Sequence, residues 1–151
     1  MTAQHFLVPL DFSAYSDQAL DYAIGLATKL QARLTLLHVI HLAPLGIGEM
    51  GAVPPAAYLE DLETEARHGL ENCLKRVQDA GLQGDSVLVH GVPFQSIVDT
   101  AHDKKVDLIV MGTHGRTGLY HVLLGSVAEK VVRLAPCPVL IARGVSGATV
   151  Q

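Results

Sequence analysis

The chain has 151 residues, enough for one domain with a buried core. Hydrophobic residues make up 49% and charged residues 17%, which excludes a disordered chain, and no apolar run approaches the roughly 20 residues of a membrane helix. With 11 lysines and arginines against 15 aspartates and glutamates the formal charge is -4, which excludes the basic footprint of a general nucleic-acid binder. The opening MTAQHFLVPLD has neither a basic n-region nor an apolar h-region, so no signal peptide is expected. Cys73 and Cys137 each sit among apolar neighbours and are expected as buried free thiols in a reducing, cytoplasmic setting. The histidines, His38 and His41 or His114 and His121 among them, show no Cys/His or HExxH spacing that would build a metal site.

In chain order, HFLVPL (5–10) predicts a first strand. From Ala14 to Leu30, Ala19, Tyr22, Ala23, Leu26, Ala27 and Leu30 recur at the helical period of about 3.6 residues, with Ser13 or Ser16 as cap and Asp17 near the positive helix start. RLTLLHVI (33–40) predicts the second strand. Residues 42–56, LAPLGIGEMGAVPPA, hold glycines and prolines without a period and predict a long, mobile loop, either a plain connector or a flap near the carboxyl ends of the strands. A second helical stripe runs through Leu59, Leu62, Ala66, Leu70, Cys73, Leu74, Val77 and Ala80 and stops at Gly81. DSVLVHG (85–91) predicts the third strand, and Pro93 opens a helix with Phe94, Ile97, Val98 and Ala101 on one face. VDLIVMG (106–112) is an almost wholly apolar fourth strand. A fourth helix starts at Ser126, carries Val127, Val131 and Leu134, and is stopped by Pro136; PVLIA (138–142) is the fifth strand. Strict alternation means right-handed crossovers and a doubly wound, Rossmann-like α/β fold: one parallel five-stranded sheet with helices on both faces, forming a single domain over 1–151.

The stretch GTHGRTGLYHVLLGS (112–126) leaves the carboxyl end of the fourth strand, where such sheets hold ligands. Glycines at 112, 115, 118 and 125 remove Cβ and let backbone amides converge as an anion nest. Ser126 heads the last helix, where unpaired amides and the helix dipole both favour negative charge. Hydrogen bonds to a charged group contribute roughly 1.5–3 kcal/mol each, so a few amides with Ser126 can hold a polyphosphate without a lysine. The alternative is that the glycines make tight turns and Ser126 caps the helix. The loop is neither GxxxxGK[ST] nor GxGxxG. At the other end of the chain, Pro9-Leu10-Asp11-Phe12-Ser13 leaves the first strand and enters the first helix. If the first strand neighbours the fourth, Asp11 faces the glycine loop, where its carboxylate can accept ribose hydroxyls or hold a magnesium ion bridging phosphates. The alternative is an aspartate that steadies the helix start. Val39, at the end of the second strand, can offer an apolar wall and backbone groups to a base.

Together these features resemble the universal stress protein family. Its nucleotide motif, G-x2-G-x9-G-[ST], is matched by Gly112-Thr113-His114-Gly115, nine residues, then Gly125-Ser126. LVPLDFS and LTLLHVI look like the family's first two strands, and the likeness covers residues 4–143. The resemblance implies the sheet order 3-2-1-4-5 and binding of ATP or AMP. It implies that Asp11 lies near ribose and phosphates, that Val39 contacts adenine, and that Gly112, Gly115, Gly125 and Ser126 hold phosphates. Pro9, Leu10, Met111, His114, Arg116 and Val127 are the implied neighbours of the ligand; Arg116 can reach phosphate or lie solvated in the loop. In that order the apolar fifth strand is an edge, so a homodimer with antiparallel fifth strands is expected.

The function so implied is that of a dimeric ATP-binding regulatory protein of the stress response, acting on a protein partner. A slow ATPase or phosphotransferase is the second reading. The loop lacks a lysine clamp and His114 is the nearby base, so no catalytic residue is assigned and at most slow hydrolysis is expected. A dimeric adaptor without nucleotide is the third, and the complete motif stands against it.

Overall fold

A computed structural model describes residues 4–42, 54–115 and 124–143. Strands and helices alternate along them: β1 (His5–Pro9), α1 (Ala14–Leu30), β2 (Arg33–Ile40), α2 (Ala56–Asp79), β3 (Gly84–His90), α3 (Pro93–Asp103), β4 (Leu108–Gly112), α4 (Ser126–Leu134) and β5 (Val139–Ala142). The five strands pair in the order β3-β2-β1-β4-β5, parallel throughout, which is the order the resemblance implies. No described helix is long and apolar enough to cross a membrane. Most of the 42–56 loop, Arg116, Gly118 and His121 lie outside the described residues.

Side chains alternate along a strand, and here both faces are apolar. Phe6 and Val8 of β1, Leu34 and Leu36 of β2 and Val110 of β4 pack with Leu20, Ala23 and Ala27 of α1 and Leu70 and Val77 of α2. Leu7, Leu37, Ile109 and Met111 point the other way, onto Ile97 and Ala101 of α3 and Ala128 and Val131 of α4. Helices α1 and α2 therefore cover one face, α3 and α4 the other, which is why the central strands read as unbroken apolar runs.

Ser13 caps α1, its hydroxyl accepting the Ser16 amide at 3.2 Å. The buried face of α1 is Ser16, Ala19, Leu20, Ala23 and Ala27, so the stripe is rotated from the expected one. Tyr22 stands about 120° around the helix from the centre of that face and is 52% exposed, and Leu30 at the helix end is 46% exposed. Leu134 likewise ends α4 beyond the layer it was expected to join, and is exposed. Both cysteines are free but half-buried rather than buried, and what burial they have raises both thiol pKa values. Asp17, expected at the helix start, is also paired there with Arg76 of α2, which reaches Asp21 as well and ties the two helices.

At the amino ends of the strands a polar chain crosses the sheet, with His5 and Thr35 buried at its centre. Arg33 donates to His5 Nδ1 at 3.1 Å, which fixes the proton on Nε2; that group donates to Thr35 Oγ1 at 2.8 Å, and Thr35 donates to Asp85 Oδ1 at 2.6 Å. Lys104 approaches the other Asp85 oxygen at 3.4 Å. Asp107 accepts the amides of Gln4 and His5, each at 2.9 Å. Burial first, and then the Arg33 charge, push the His5 pKa below its ordinary value. Burial opposes the Asp85 carboxylate, but Thr35 and Lys104 outweigh it and hold its pKa low.

A histidine with a depressed folded pKa takes up its proton more readily when unfolded. Stability from His5 is therefore complete above the unfolded value of about 6.5 and is lost as pH falls below it. The urea midpoint should drop between about pH 7.5 and about pH 5.5, and His5→Gln, which cannot ionise, should flatten that slope. An equal slope in the variant would assign it to other groups.

Candidate functional site

Phe6 pairs with Leu108 and Leu7 with Ile109, so β1 and β4 leave the sheet side by side. The chain turns to opposite sides of the sheet after them, which is where open α/β sheets form their crevice. The turn after β1 carries Asp11. One of its carboxylate oxygens accepts the Ser13 amide at 3.0 Å and the Ser13 hydroxyl at 2.5 Å, which fixes the side chain. The other faces Gly115, where a Cβ would come within 2.8 Å of it. Asp11 and the glycine segment are thus in contact.

The glycines serve this close approach. A Cβ on Gly112 would lie 2.8 Å from the Tyr15 carbonyl oxygen, and one on Gly125 would lie 3.1 Å from that of Thr113. The Gly125 amide donates to the same Thr113 oxygen at 2.7 Å. That amide is therefore paired inside the protein. The donors move one residue on. Gly125 is the N-cap of α4, no side chain caps the helix, and its first internal bond runs from the Glu129 amide to the Gly125 carbonyl. The amides of Ser126, Val127 and Ala128 have no acceptor within the helix.

These segments enclose a cavity of about 400 Å³. Leu37 and Val39 of β2, Pro93 and Ile97 of α3, Met111 of β4 and Val127 of α4 give it an apolar wall. Asp11, Thr113, His114, Gly115 and Ser126 give it a polar end. Pro9, Leu10, Gly112 and Gly125 also line it, so every site residue expected from the sequence does so except Arg116, which lies outside the described residues. His114 is half-buried, with Nδ1 3.0 Å from the Thr113 hydroxyl and its ring tilted against Tyr15 at 5.4 Å. Glu129 lines the cavity too and pairs with Arg133 at 2.8 Å. No lysine or arginine is among the described lining residues.

Sequence reasoning missed Ser16, Leu37, Pro93, Ile97, Thr113, Leu124, Ala128 and Glu129. Some signal was there. Leu37 lies two residues before Val39 and so shares its face, and Pro93 opens the helix that follows the carboxyl end of β3.

The sequence pattern of the universal stress protein family matches residues 2–143. The chain belongs to that family. The universal stress protein MJ0531 of Methanocaldococcus jannaschii is 37% identical over 138 residues, which is 91% of this chain and 80% of that one. The solved structure of MJ0577, a universal stress protein of the same organism, has a TM-score of 0.83 at 33% identity, covering 95% of this chain and 97% of its own. Two other similar structures are nucleotide complexes. A universal stress protein solved with cAMP has a TM-score of 0.71 at 26% identity, covering 93% of this chain and 97% of its own. The universal stress protein of Archaeoglobus fulgidus solved with dAMP has a TM-score of 0.67 at 25% identity, covering 93% and 98%.

In this universal stress protein, Gly112→Ala should press a methyl group into the Tyr15 carbonyl, which is backbone and cannot swing aside. Overpacking of this kind costs about 1–3 kcal/mol. Urea denaturation should show a loss in that range; a variant as stable as its parent would mean that α1 slides off β4 without cost.

Proposed function

We propose that the cavity binds an adenine nucleotide, ATP or AMP, and that the protein is a nucleotide-dependent regulatory module of the stress response in the cytoplasm. One observation carries this reading: a single cavity is lined by apolar side chains, by Asp11 and by the amino end of α4, which no side chain caps. A base suits the slot of Leu37, Val39, Ile97 and Met111. Ribose hydroxyls suit the Asp11 carboxylate. Phosphates suit the amides of residues 126–128, where the helix dipole adds to the hydrogen bonds. The volume lies within the range of small-molecule sites, about 300–1,000 Å³. The related proteins solved with cAMP and dAMP support the adenine assignment, since adenine is what those two ligands share.

Magnesium can accompany the phosphates. The carboxylates that line the cavity are Asp11 and Glu129, so most of its oxygen ligands would come from phosphates and water. Regulation requires that the nucleotide favour one of two states of the protein for its partner. The assembly we propose is a homodimer through β5. That strand is a sheet edge, Val139, Leu140 and Ile141 are only half-buried, and Val132 and Leu134 of α4 are exposed nearby in sequence.

Thermal melting tests the site. Mg-ATP at about 100 times its Kd should add about 2.7 kcal/mol of stability. Gly115→Val should erase that gain, because its side chain would displace the Asp11 carboxylate. A shift that survives this change sinks the proposed geometry. Sedimentation at micromolar concentration should show a dimer, and a monomer alone would end the β5 proposal.

A further inference from the structure

Helix α2 packs on the face of the sheet opposite the one that α3 and α4 cover, yet one side chain joins it to the cavity's Asp11. Phe12 follows Asp11 directly. Its φ is 62°, in the left-handed region, where a bulky residue is a rare exception. Packing holds it there from two sides. The ring stacks on His38 of β2, with centroids 4.5 Å apart and planes at 29°. It also fills the space above Gly69 of α2, where a Cβ would lie 2.7 Å from both Phe12 Cε1 and Phe12 Cζ. His38 in turn has Nδ1 2.7 Å from the carbonyl oxygen of Leu10, the residue before Asp11. Residues 10–12 are therefore braced by β2 and α2 together, and the carboxylate they carry abuts Gly115 on the far side.

We propose that Phe12 is a positioning residue for the nucleotide site and that Gly69 sets where its ring can rest, coupling α2 to Asp11. The consequence for affinity rests on the nucleotide reading above; the mechanical link does not. A strained backbone held in place by its surroundings is sensitive to changes in them. Displacing the ring rotates the turn and with it the carboxylate. Coupling is reciprocal, so a nucleotide seated against Asp11 also restrains α2. That gives the occupied state a signature on a helix that the ligand does not touch.

Gly69→Ala is the test. Alanine is the better helix former, so α2 persists while the new methyl group pushes the ring. In the ligand-free protein the amide resonances of Asp11 and Gly115 should move in Gly69→Ala. They should stay put when the same change is made in a Phe12→Ala background. By calorimetry the ATP Kd should rise about tenfold in Gly69→Ala and change less than about twofold when Phe12 is already alanine, the non-additivity expected of residues in contact. If Phe12→Ala does not fold, Phe12→Leu serves as the background. Unmoved resonances in Gly69→Ala overturn the coupling, and so does an equal effect in both backgrounds. Moved resonances in a parent protein that binds no ATP would uphold the positioning contact and sink the nucleotide reading instead.

Discussion

With Phe6 opposite Leu108 and Leu7 opposite Ile109, β1 and β4 end side by side, and the segments that follow them are forced into contact. There is no room in that contact for side chains. The Tyr15 carbonyl stands against residue 112, the Asp11 carboxylate against 115 and the Thr113 carbonyl against 125. The glycine spacing is thus a packing requirement before it is a binding one. The proposed binding follows from it. Because Gly125 spends its amide on Thr113, α4 starts close to Asp11 with its next amides unpaired by the helix.

The elements were legible because burial leaves a period. Two-sided burial makes DLIVM and VLIA continuous, and one-sided burial gives α2 and α3 their stripes. The order of the strands was not written in those periods, since a run such as VLIA says nothing of its neighbour; it came with the resemblance. Helix faces were legible only in part. Tyr22 fits a helical spacing, but Leu20 takes the inward position, and a residue at a helix end such as Leu30 or Leu134 has no layer left to meet. The motif located the site, and the apolar wall was missed wherever it came from ordinary core residues such as Ile97. The brace of Phe12, His38 and Gly69 had no local signature at all. Each residue is unremarkable in its own segment, and only tertiary contact gives Gly69 its meaning.

The two ends of the sheet handle polar groups in opposite ways. At the amino end, Arg33, His5, Thr35, Asp85 and Lys104 answer one another in a closed chain across three strands and the α3–β4 connection. This pairing satisfies the two buried members, His5 and Thr35, and specifies their arrangement. At the carboxyl end, helix amides and an aspartate line a cavity. A chain of formal charge -4 does not attract phosphate by its overall field. Among the described residues, the attraction proposed here would come from short-range dipoles, which act within about one helix turn and so would confine an anion to one place.

The same chemistry favours holding a nucleotide over cleaving it. Phosphoryl transfer needs charge to be neutralised as it develops on the moving group, and cationic side chains or metal ions near the γ-phosphate usually do this. Among the described residues, this cavity offers backbone amides, two carboxylates and His114, and no lysine or arginine. Where such amides meet the ground-state anion and the transition state equally, binding lowers a dissociation constant without raising a rate. For the nucleotide-dependent regulation proposed above, the brace from Asp11 through Phe12 to α2 is the route by which occupancy would reach the opposite face of the sheet.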